Sequence, residues 1–82
     1  MGNMRALCLI TIKPGTVDKV AELLSKKRNI TKEVLPVTGR ADICVLISGS
    51  INDINTVVMD FKKINDIVAT ETLMEMEVDL GW

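Results

Sequence analysis

Residues 37–49 read Val37-Thr38-Gly39-Arg40-Ala41-Asp42-Ile43-Cys44-Val45-Leu46-Ile47-Ser48-Gly49, and they decide the architecture of the chain. Ile43 to Ile47 is apolar at every position, so both faces of a strand built from it are apolar, as in a strand at the middle of a sheet. Thr38-Gly39-Arg40 ahead of it is short and holds a glycine, which permits a tight reversal into a preceding strand. Gly49-Ser50 ends the run. This hairpin lies near the middle of an 82-residue chain, and the segments on its two sides repeat one pattern.

Upstream, Ile30 to Val37 is β-like through Val34, Leu35 and Val37, and Pro36 demotes it to an edge strand. Before it, Val17, Val20, Ala21 and Leu24 recur at helical spacing, with Thr16 as N-cap and Asp18 in the first turn. That helix ends at Lys26-Lys27-Arg28-Asn29. The opening strand, Met4 to Lys13, contains the apolar run Ala6 to Ile10 and is stopped by Pro14-Gly15. Downstream, Ile54, Val57, Val58 and Phe61 mark a helix over Asn52 to Lys63, with Asn52 as its expected cap. A last strand over Ile67 to Leu80 sets Thr70, Thr72, Met74, Met76 and Val78 on one side and Glu71, Glu75, Glu77 and Asp79 on the other.

The order β, α, β, β, α, β predicts an α+β, ferredoxin-like fold: a four-stranded antiparallel sheet, in the order 4-1-3-2, with both helices on one face. The whole chain, 1–82, is then a single domain. Hydrophobic residues make up 48% of it and charged residues 26%, which excludes a disordered tail. They also supply more apolar sheet surface than two helices can hide. Each large side chain left wet forgoes roughly 1.5–3 kcal/mol, so a homodimer joined through the bare sheet face, an αβ sandwich, is expected.

Several function classes are disfavoured. With a net charge of −1 and a pI near 5.3 there is no positive field, so direct nucleic-acid binding is not expected. Lys26, Lys27 and Arg28 cluster with Lys32, but the first three fall where cations complement a helix end. An RNA-recognition domain of this topology needs aromatic rings on its central strands, and the aromatics here are Phe61, in a helical stripe, and Trp82. The longest uncharged run, Ile43 to Asn52, is far short of the roughly 20 residues that span a bilayer, and no signal-peptide pattern opens the chain, so no membrane role and a cytoplasmic location are expected. The absence of His, Tyr, a nucleophile elbow and a Gly-rich loop argues against an enzyme and against a bound cofactor. Cys8 and Cys44 are only two soft ligands on separate strands, so they read as buried thiols and no metal is expected.

The hairpin admits two readings. In one it is an ordinary turn, with Gly39 supplying a positive φ and Asp42 accepting backbone N–H bonds. In the other it is a ligand site, because the sheet order brings the hairpin, the Pro14-Gly15 turn and the start of strand four to one end. Asp42 offers a carboxylate to an ammonium group, Thr38, Thr70 and Thr72 offer hydroxyls, and N–H groups near Gly39 suit a carboxylate. Those are the needs of a free α-amino acid. Strand one separates the hairpin from strand four, so a compact pocket calls for a second subunit.

From Arg5 to about Val78 the chain resembles the effector-binding (RAM) domain of the Lrp/AsnC transcription regulators. Lys13-Pro14-Gly15, Val37-Thr38-Gly39-x-x-Asp42 and Thr70-x-Thr72 carry the resemblance. It implies a domain that dimerises through its sheet, assembles into higher oligomers such as octamers or decamers, and binds an amino-acid effector between dimers. On the matching positions it implicates Gly39 and Asp42, with Thr70 and Thr72 nearby. Two positions depart from the family: Ala41 stands where an aromatic is common, and Asp66 where a glycine commonly precedes the last strand. Only Met1 to Met4 precede the first strand, so a stand-alone form without the helix-turn-helix is expected, acting by ligand sensing or by co-assembly with full-length Lrp/AsnC regulators. A purely structural partner of such regulators is the alternative. A small dimeric ferredoxin-like enzyme rests on fold analogy alone.

Overall fold

The computed structural model describes residues 4–26 and 30–76. Its elements are β1 (Met4–Ile12), α1 (Val17–Ser25), β2 (Thr31–Pro36), β3 (Ile43–Gly49), α2 (Ile51–Lys62) and β4 (Ile67–Met74). All pairings are antiparallel and the sheet order is β2-β3-β1-β4, so the expected ferredoxin-like arrangement is the one observed. Lys27, Arg28, residues 77–80 of the expected last strand and Trp82 lie outside the described residues.

Register assigns each side chain to a face. Cys8 pairs with Val45 and Leu9 with Cys44, and directly paired residues share a side of the pleat. Ala6, Cys8, Ile10 and Ile12 of β1 join Ile43, Val45 and Ile47 of β3 in the core, against Val20 and Leu24 of α1 and Ile54, Val57 and Phe61 of α2. The opposite face carries Leu7 and Leu9 of β1, Cys44 and Leu46 of β3, Leu35 of β2 and Leu73 of β4. No helix lies there among the described residues. Leu35 and Leu73 are each 47% exposed, while Leu7, Leu9 and Leu46 are partly shielded by their neighbours. This is the surplus apolar surface, now with named residues.

Two caps differ from expectation. Thr16 does precede α1, but its hydroxyl donates to the Lys13 carbonyl at 2.7 Å and does not cap the helix. Helix α2 begins at Ile51 and is capped by Ser50 in place of Asn52. The Ser50 hydroxyl accepts from the Asp53 N–H at 3.1 Å, and the Asp53 carboxylate accepts from the Ser50 N–H at 3.2 Å, a reciprocal capping box. Gly49 makes room for it, since a Cβ there would sit 3.1 Å from the Asp53 Cβ. In β4 it is Thr70, Thr72 and Met74 that share the helix side with Ile10, Cys8 and Ala6, while Glu71 and Leu73 share the bare side with Leu9 and Leu7. Strand β4 ends at Met74, beyond which Arg5 grips the Glu75 carboxylate through Nη2 at 2.6 Å and Nε at 3.1 Å. Among the described residues no helix is long and apolar enough to cross a membrane.

The capping box makes a direct prediction. Ser50→Ala will lower stability by about 1 kcal/mol in urea denaturation, whereas Asn52→Ala, on the exposed first turn, will change it by about 0.5 kcal/mol or less. Equal losses at the two positions would contradict the cap assignment.

Candidate functional site

The end of the sheet where β1 stops is built from three short pieces of chain. After Ile12, Lys13-Pro14-Gly15 turns into α1, with Gly15 at φ 81°. The hairpin between β2 and β3 is closed by the Val37 N–H donating to the Asp42 carbonyl at 2.9 Å. Gly39 at its tip has φ 114°, where an L side chain would be strained. Ala41 is buried, and Thr38 and Arg40 are exposed. Asp42 then binds β1 twice: its N–H donates to the Ile10 carbonyl at 2.9 Å, and its Oδ2 accepts from the Ile12 N–H at 2.9 Å. The carboxylate thus extends the β1 to β3 ladder by one bond past the start of β3.

The ordinary-turn reading of the hairpin is therefore correct for half of the Asp42 carboxylate. Oδ2 is committed to Ile12, and no second bond to this carboxylate is made among the described residues. Beside it opens a cleft of about 460 Å³ lined by Ile12, Lys13, Pro14, Gly15, Val17, Val37 and Asp42. The hairpin and the Pro14-Gly15 turn do meet, as the topology required. Thr38 and Gly39 sit at the hairpin tip outside the lining. Thr70 and Thr72 are across β1, opposite Ile10 and Cys8, half-buried on the helix side. Within one chain they are not brought to Asp42, and Thr72 donates instead to the Cys8 sulfur at 3.7 Å.

Sequence reasoning missed the walls of the cleft, Ile12, Lys13, Val17 and Val37. The signal was present in Lys13-Pro14-Gly15, which marked only the end of a strand. The two thiols are free and buried, on opposite faces of the sheet. Burial pushes the Cys8 thiol above its ordinary range, with the Thr72 hydrogen bond acting in the other direction, so it is an inert core group. Among the described residues no three His, Cys, Asp or Glu side chains gather as a metal site.

No protein-family model and no curated protein sequence matches the chain, but solved structures do. TTHA0845 from Thermus thermophilus is 23% identical, with 93% of this chain and 96% of that one covered and a TM-score of 0.84. AsnC of E. coli is 20% identical over 94% of this chain and 53% of its own, at a TM-score of 0.76. The transcriptional regulator NMB0573 from Neisseria meningitidis, solved as a complex with L-Met, is 12% identical over 90% and 50%, also at 0.76. The chain thus spans nearly all of TTHA0845 and about half of each regulator. In fold it is similar to Lrp/AsnC-type proteins over at least nine-tenths of its length. That is the resemblance its hairpin and turns first carried.

Asp42 has a structural share that can be measured apart from any ligand. Asp42→Ala leaves the Ile12 N–H without its acceptor and will cost about 1–3 kcal/mol. Asp42→Asn keeps a carbonyl oxygen in place and will cost less. Hydrogen exchange at the Ile12 amide will accelerate in the alanine variant and stay protected in the asparagine variant.

Proposed function

We propose that this chain is an amino-acid-sensing, oligomer-forming regulatory domain of the Lrp/AsnC type, and not an enzyme. The observation that carries this reading is the Asp42 carboxylate, half committed to Ile12 and half available, at a cleft that also holds Lys13. An ammonium and a carboxylate on one small molecule match those two charges. The L-Met complex of NMB0573, which has the same fold, supports a small-molecule effector of this kind. Thr38 and Gly39 stand at the rim, and Thr70 and Thr72 complete the site when a neighbouring chain presents them. In this reading the domain contributes sensing and assembly.

Self-association follows from the bare sheet face. Leu7, Leu9, Leu46 and Leu73, with Cys44 between them, form a patch whose burial against a second copy offsets the entropy of association. The same patch on both subunits gives a closed two-fold dimer, and the hairpin end supplies the next contact, toward octamers or decamers. A second reading shares that observation: the apolar face serves a structural partner that co-assembles with full-length Lrp/AsnC regulators. Co-purification with such a regulator that persists in Asp42→Asn, with ligand binding lost, would favour it.

Calorimetric titration against the twenty amino acids tests the main reading. At least one will bind, and Asp42→Asn will weaken it by tenfold or more. Silence from all twenty at millimolar concentration, with the oligomer intact, would sink the sensing role. Light scattering tests the face: Leu46→Asp will release a folded monomer, whereas Val45→Asp, one residue away and facing the core, will unfold the chain. A stable monomer of the unaltered chain at micromolar concentration would refute the dimer.

A further inference from the structure

We infer that the joining of two copies through the bare sheet face is governed by pH, tightening in acid, because Glu33 and Glu71 enter the contact with no cation to meet them. This rests on the reading of that face as the dimer surface and adds to it a means of control.

The pairings lay the face out as two rows of four across β2, β3, β1 and β4. One row is Glu33, Leu46, Leu7 and Leu73, and the other is Leu35, Cys44, Leu9 and Glu71. The two carboxylates thus occupy opposite corners of a patch otherwise made of leucine and one thiol, and both are exposed. Neither makes an ion pair with a described residue. The cation next in register is Arg5, one row beyond Leu7 and opposite Ser48, and the Glu75 carboxylate already holds it at 2.6 Å. Lys32 falls in the register shift between Thr31 and Glu33, outside the paired positions. Asp42, past the other end of the patch, is bonded to the Ile12 N–H.

Two such patches can be stacked in several ways, and none of them supplies a counter-charge. Facing sheets keep their strands aligned within about 30° or cross near a right angle. In the aligned stackings, a two-fold axis along the strands lays Glu33 on the second copy's Leu73 and Glu71 on its Leu35, and an axis across the strands exchanges those two leucines. In a crossed stacking the patch still holds no cation. A glutamate pressed on leucine loses its water and gains no partner, which disfavours its charged form. Association is therefore accompanied by proton uptake at two sites per copy, so it strengthens as pH falls and weakens as pH rises. Glu75 does not share in this, because Arg5 grips it and holds its carboxyl below the usual carboxylate range, so it stays charged whether or not the copies join.

Sedimentation of the full chain over a range of concentrations, from about pH 8 to about pH 5, tests this linkage. The dimer dissociation constant is expected to fall at least tenfold across that range. The double variant Glu33→Gln with Glu71→Gln, which keeps the shape of both side chains and removes their charge, is expected to dimerise at the alkaline end as tightly as the unaltered chain does at the acid end, with the pH dependence gone. Glu22→Gln, on exposed helix α1, is the control and will leave the dependence unchanged. A dissociation constant that is level with pH, or that rises in acid, would overturn the inference while leaving the dimer in place, as would a double variant that keeps the full dependence. A chain that stays monomeric at every pH brings down the dimer reading itself, and that result is distinct from the others.

Discussion

Everything else in this molecule hangs on the pairing of β1 with β3. These are the two inner strands, both apolar on both sides of the pleat, and their seven-position register from Met4↔Gly49 to Ile10↔Ile43 sorts the hydrocarbon of each strand into two sets. One set is buried by two helices. The other meets nothing in the described chain. A slip of one position would exchange the sets and drive Leu7, Leu9 and Leu46 into the core in place of Cys8, Ile10 and Val45. The fold, its core and its uncovered apolar face are thus one choice of register.

The Asp42 carboxylate enforces that register from the end. Its bond to the Ile12 N–H continues the ladder with a side chain where β3 has not yet begun. A group so placed both holds β1, through Oδ2, and lines the cleft beside it. A carboxylate suits this because it accepts several hydrogen bonds in different directions. The turn reading of the hairpin accounts for one oxygen of that side chain, and the proposed ligand site concerns the other.

How much of this was legible follows from the range of each signal. The unbroken run Ile43 to Ile47 fixed a central strand, and the spacing of Ile54, Val57 and Phe61 fixed a buried helical stripe, because both are periodicities of the chain itself. The side of the pleat was not legible for Val45, since an apolar run carries no alternation to orient it; the pairing with Cys8 supplies that. The cap of α2 was misplaced by two residues because Ser50, read as the end of a strand, doubles as the start of a helix. The five proposed site residues divide along the same line. Thr38, Gly39 and Asp42 fall within one five-residue stretch of the hairpin, so sequence keeps them near one another, whereas Thr70 and Thr72 lie across β1 and are not brought to them within the chain. The cleft walls were harder to read: Lys13-Pro14-Gly15 and Val37 stand in quoted motifs but as a strand stop and a hairpin flank, and nothing local shows that they and Val17 face one cleft.

One small feature of β2 bears on what this sheet cannot become. Val37 donates inward to Asp42, so the neighbouring nitrogen, that of Pro36, points to the outer edge of the sheet and carries no hydrogen. A register shift between Thr31 and Glu33 further interrupts the same edge. Growth of a ribbon by strand addition is head to tail, with the β2 edge of one copy receiving the β4 edge of the next, and an edge lacking a donor and broken in register receives poorly. Edge pairing that avoids β2, from β4 to β4, is two-fold and stops at two copies. In a chain with this much uncovered hydrocarbon, the β2 edge is thereby a poor template for fibre growth.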